Sequence, residues 1–140
     1  MKKKNEEGFS LIELLTVFVV IGIIAAMAVP ALQKSLLAAE NGKTFSSMRT
    51  IASTQVAFYS QNSRFGRLNE INSQMSQSLG TVAGNQLIQN KYVYEMAPAS
   101  PTDAELKQSY TITATRNLAG EGQIFKFEVT QAGDINQILP

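Results

Sequence analysis

The 140-residue chain contains no cysteine and no histidine. That removes thiolate nucleophiles, imidazole bases, disulfides and the common ligands of zinc and haem together. Asp103 and Asp134 are its only aspartates, so a calcium cage would have to draw on glutamates and backbone oxygens. Neither sign of charge dominates, with 12 basic and 11 acidic residues, and the basic ones cluster nowhere beyond Lys2, Lys3 and Lys4. A nucleic-acid surface therefore has no support. No pair of carboxylates, glycine-rich phosphate loop or serine-based constellation stands out, so the expectation is a protein without enzymatic activity and without a cofactor or metal. The length suits one domain.

What the chain does have is an apolar run. No charged residue occurs from Leu14 to Gln33, a stretch of about 20 residues that spans roughly 30 Å as a helix, enough to cross a bilayer. Just before it stands Glu13. A carboxylate at the centre of a membrane helix costs about 2.5–3.5 kcal/mol on insertion scales, so its presence calls for a use.

Three readings compete. A secretory signal peptide would take Lys2 to Lys4 as its positive region and Ala26-Met27-Ala28 as its cleavage site. Glu6, Glu7 and Glu13, the length of the apolar run and Val29-Pro30 just beyond the site all oppose it. A plain membrane anchor, its lysines kept cytoplasmic, explains length and orientation. It leaves Glu13 unexplained. The third reading uses every residue: a short basic leader, Gly8, Phe9, then Ser10, Glu13 and an unbroken apolar helix.

In the string GFSLIELL the sequence resembles the type IV pilin and pseudopilin family, whose class III signal is a leader ending in Gly, cut before a hydrophobic residue with Glu four positions beyond. The resemblance is specific over about residues 1–32 and architectural after that. It implies a membrane peptidase that cuts after Gly8 and methylates the new amino terminus on Phe9, leaving the helix in the mature protein. Glu13 then becomes a register device, pairing with the Phe9 amine of a neighbouring copy where the Coulomb term is about 4 kcal/mol at 4 Å and an effective dielectric of about 20. The plain alternative is a carboxylate at headgroup depth, reaching water. Pro30 lacks an amide hydrogen and Gly22 weakens the helix ahead of it, so a kink or local melt is expected between them. Removal of the leader takes three lysines and two glutamates, which leaves equal numbers of each sign and little net repulsion between stacked copies.

Beyond Pro30 the pattern turns amphipathic: Phe45, Met48, Ile51, Val56 and Tyr59 recur at mostly helical spacing. One helix from about Phe9 to Ser60 is implied. The polar run from Gln61 to Gly66 ends it. Leu68, Ile71, Met75 and Leu79 read as a short second helix stopped by Gly80, and Leu87 and Ile88 as a further turn on the long helix. From Lys91 the period becomes two in KYVYEM, YTITATR and QIFKFEVTQ, which read as antiparallel strands. Thr102 and Glu105 have capping-box spacing. NLAGEG reads as a hairpin loop and Gly133-Asp134 as a turn before a short tail. Tyr92, Tyr94, Tyr110, Phe125 and Phe127 read as packing, not as a ligand path.

The expected fold class is α+β: a long N-terminal helix whose first half spans the membrane, packed through its second half against a small antiparallel sheet. The segments are a leader over 1–8, a membrane and filament-core helix over 9–32, an amphipathic continuation over 33–62, a connector over 63–90 and a sheet over 91–140. The family implies a filament of identical copies, a prepilin peptidase, an inner-membrane assembly platform and minor pilins as partners. It places the subunit in the bacterial inner membrane first and in an extracellular or periplasmic filament afterwards. Within the family a surface pilin and a major pseudopilin of a type II secretion system both fit. The missing cysteine pair departs from many surface pilins. From another class, an exported or anchored binding domain that never polymerises is the alternative.

Overall fold

The computed structural model describes residues 8–118 and 123–140. Residues 1–7 and residues 119–122, which carry most of the expected NLAGEG hairpin loop, lie outside the described residues. Helix α1 runs over Leu11–Asn62 and α2 over Leu68–Gln74; strands β1, β2 and β3 cover Thr81–Ala83, Gln86–Gln89 and Tyr92–Met96. Then come α3 at Asp103–Leu106 and strands β4 at Thr111–Leu118, β5 at Gln123–Thr130 and β6 at Ile135–Leu139. The architecture is α+β. The chain divides into two compact units, Met1–Glu40 and Asn41–Pro140.

In the first unit the described backbone is helical from Leu11 onward and the apolar side chains from Phe9 to Leu36 are exposed. Hydroxyls that would be costly in an apolar segment bond back to their own helix: Thr16 donates to the Ile12 carbonyl at 2.7 Å and Ser35 to that of Ala31 at 3.0 Å. Each meets its hydrogen-bonding need without water or a second chain.

The second unit is built by α1 residues from Asn41 on and a six-stranded antiparallel sheet in simple chain order, β1-β2-β3-β4-β5-β6. One stripe of α1, comprising Thr44, Met48, Ile51, Ala52, Gln55 and Phe58, is buried. So is one face of the sheet, through Leu87, Tyr92, Tyr94, Met96, Ile112, Ala114, Phe125, Phe127 and Val129. The register explains the agreement: Tyr94 pairs with Ala114 and Ala114 with Phe127, so the alternating apolar positions of three strands fall in one row. Polar contacts fix helix against sheet, Ser47 donating to Gln89 at 2.9 Å and Tyr92 to Asn41. All five aromatics singled out in the sequence are buried, Tyr110 deeply enough that desolvation pushes its phenol up to about 12.

Ser63 ends α1 by adopting φ 55°, and its amide donates to Tyr59 at 2.8 Å. The turn that follows is clamped by the buried Gln55. Its Nε2 donates to the Gly66 carbonyl at 2.8 Å while its Oε1 accepts from the Gly66 amide at 2.7 Å.

The structure corrects the sequence reading in three places, all between or after the clear strands. Helix α2 stops at Gln74 and not at Gly80, because Ser76 and Gln77 take left-handed φ of 54° and 60°, with the Gln77 amide bonded to Asn72. Leu87 and Ile88 form no turn on the helix; they are in β2, which pairs with β3 and, through Gly84-Asn85, with β1. The segment after Gly133-Asp134 is no tail: it adds β6 to the edge of β5, with a register shift at Lys126/Phe127. Two of these strands thus lie inside the 63–90 segment read as a connector. The capping box at Thr102 is present, opening α3 with Glu105 bonded back to the Thr102 amide at 2.7 Å.

Candidate functional site

Of the residues singled out in the sequence, Gly8 and Phe9 lie just before α1 and Glu13 in its first turn. Gly8, Phe9 and Ser10 are non-helical and exposed, Phe9 at 79%. The Gly8–Phe9 peptide thus precedes the helix. Ser10 sets the boundary. Its carbonyl accepts from the Glu13 amide at 3.0 Å and from the Leu14 amide at 3.2 Å, the first closures of the helix.

Glu13 sits in the first turn of α1 and is exposed. There the unpaired backbone amides carry partial positive charge, and a carboxylate is favourable by about 0.3–1 kcal/mol. Among the described residues no basic side chain forms an ion pair with it. The arrangement therefore presents one acidic group at the head of an uncharged, uncovered apolar helix. Ser10 enters the sequence reading only as part of the motif, although Ser10-x-x-Glu13 also has the spacing of a capping box.

The helical assignment runs unbroken through Gly22 and Pro30. No melt occurs there in the single chain, even though Pro30 leaves the carbonyl of Ala26 without its usual amide partner. A Cβ on Gly22 would meet nothing within 4 Å, so packing inside this chain does not require glycine there.

The sheet-bearing unit has a second cluster of charge, which joins the end of α1 to α2 and α3. Arg64 donates to both Glu70 oxygens at 2.6 and 2.9 Å, Glu70 accepts from the Arg67 amide at 2.8 Å, and Arg67 donates to Asp103 at 2.6 Å. The Arg64 guanidinium holds the Glu70 carboxyl below the usual carboxylate range. These contacts tie the segment after α1 to α2 and α3. Among the described residues no group of three or more histidines, cysteines or carboxylates could hold a metal ion.

Residues 3–29 match the family model of the prokaryotic N-terminal methylation motif. Comparison with curated proteins and with solved structures gave no significant match. The chain thus carries, joined to a helix long and apolar enough to cross a membrane, the class III signal of type IV pilins and pseudopilins. That motif implies processing by a prepilin peptidase and is consistent with membrane anchoring before assembly.

Proposed function

We propose that the chain is a structural subunit, a pilin, of a bacterial type IV pilus-like filament, cut between Gly8 and Phe9, methylated on the Phe9 amine, and held in register by Glu13. The observation that carries this reading is the methylation motif over residues 3–29, set on a helix whose apolar window is fully uncovered. Such a surface must be covered by lipid or by other copies of the same helix. Exchange between those two environments changes apolar burial little, because lipid tails are as apolar as leucine. A weak bias then decides which wins. The bias assigned here is the contact between the Glu13 carboxylate of one copy and the Phe9 amine of another, which only one axial offset of the two helices permits. In this account Gly22 and Pro30 make the intervening helix cheap to bend or unwind when copies pack.

The processing half of the proposal is tested by expressing the chain in a host that lacks a prepilin peptidase, with and without one supplied. The expected intact mass falls by residues 1–8 and rises by one methyl group only when the enzyme is present. An unchanged mass in its presence would count against the assignment of Gly8 and Phe9.

A further inference from the structure

We infer that β6 of one copy docks in the cleft between α2 and β1 of the next, an interface between copies that rests on the filament reading above. Strands β1 and β6 are the two ends of one sheet. Their sequences, TVA and INQIL, contain no charge, and lysine on an edge is a common device against edge pairing.

The cleft beside β1 has a volume of about 290 Å³. That is at the lower limit of small-ligand sites and suits one or two aliphatic side chains better. Its floor is apolar, made by Leu68, Val82, Met96 and Pro101. Val82 pairs across from the buried Leu87 and so belongs to the core side of the sheet, yet it is 46% exposed. The core is left unfinished at this point. The rim carries the amides of Asn69 and Asn85, while the nearby Arg67 is engaged by Asp103 and the Gln86 amide by Glu95. The Asn85 side chain donates to Ser100 at 2.6 Å, which holds two walls of the cleft in place.

An occupant should therefore be uncharged, offer amides to the rim and bring aliphatic side chains to the floor. The opposite edge of the same sheet has that chemistry. Asn136 and Gln137 supply amides, and Ile138 and Leu139 are 45% and 43% exposed. A contact between two different edges is heterologous, so its repetition is not confined to a two-fold dimer and yields an open polymer where the rotation does not close into a ring. Three residues of β1 are too few to bind alone; the pairing becomes effective only where helix packing supplies a high local concentration.

The absence of cysteine gives a clean test. Filaments are assembled from an excess of unaltered chain mixed with two variants, Val82→Cys and either Ile138→Cys or Leu139→Cys, then sheared and oxidised. A disulfide needs Cα atoms about 4.4–6.8 Å apart. The expected result is a disulfide dimer that forms only when both variants are present. Intact filaments containing both variants but no such dimer at either pair would overturn the docking and leave the filament reading standing. Failure of the unaltered chain to form filaments in its own host would overturn both.

Discussion

Glu13→Ala should reduce sheared filament yield at least about tenfold while leaving the subunit folded and in the membrane. Removing a carboxylate from an apolar helix cannot impair insertion, since its burial costs up to about 2.5–3.5 kcal/mol at the bilayer centre. Nor should it touch the sheet-bearing unit, because Glu13 lies in the first turn of α1, in the other compact unit, and is exposed. Assembly loses a contact whose Coulomb term is about 4 kcal/mol at 4 Å and an effective dielectric of about 20. If one third of that term survives desolvation, the assembly constant still changes by about tenfold. The measurement is filament yield against membrane-bound subunit, with melting of the detergent-solubilised chain as the control. Normal yield from the variant would remove Glu13 from the assembly account.

The largest effect on folding is expected from Gln55→Ala. Gln55 is fully buried, and its amide answers both the N–H and the C=O of Gly66. Truncation leaves two backbone groups without their partner in a site that lacks room to rearrange: Phe58 and Ile71 crowd Gly66, and a Cβ there would come within 2.7 Å of the Ile71 Cδ1. Each buried unsatisfied group costs about 1–3 kcal/mol, so the loss should be about 2–6 kcal/mol, with a melting temperature lower by at least roughly 10 °C for a unit of this size. Thermal melting of the full chain in detergent, followed by the sheet signal in circular dichroism, checks this. Gln55→Glu is the informative companion: its carboxylate keeps an acceptor for the Gly66 amide but loses the donor and buries a charge against the Gly66 carbonyl, so it should destabilise at least as much as alanine at neutral pH. A shift of under about 2 °C for the alanine variant would mean that the clamp contributes little.

Some of this was legible in the sequence because local and global preferences agree. In α1 the apolar run and the amphipathic continuation share one period, and Ser63 ends the helix within two residues of the expected place. In β3, β4 and β5 the alternation of Tyr92, Tyr94 and Met96, of Ile112 and Ala114, and of Phe125, Phe127 and Val129 names the buried face. The misses have distinct causes. The β1–β2 hairpin did leave a signal, since Gly84-Asn85 joins VA to QLI as a two-residue turn, with Gly84 at φ 62°. The apolar pair Leu87-Ile88 was instead read with the helix. In α2 the spacing of Met75 and Leu79 suggested continuation, whereas Leu79 is buried by way of the left-handed turn that Asn72 supports through its bond from the Leu79 amide. Strand β6 has almost no alternating pattern; it exists because β5 offers it a free edge.

At the functional end the methylation motif over residues 3–29 could be read directly, because its signal lies in spacing along the chain. The ion-pair cluster could not. Arg64, Arg67 and Glu70 are neighbours in sequence, but Asp103 reaches Arg67 across 36 positions, a contact that only the fold provides. The cleft beside β1 was invisible for the same reason, since its floor draws on three separate segments.

The central claim is that this chain is a processed filament subunit, and the amino terminus of the protein in a fraction sheared from its native cells tests it most directly. Intact mass and the N-terminal peptide should show a chain that begins with N-methylated Phe9. A sheared fraction whose chain begins at Val29 or Met1 would contradict the account.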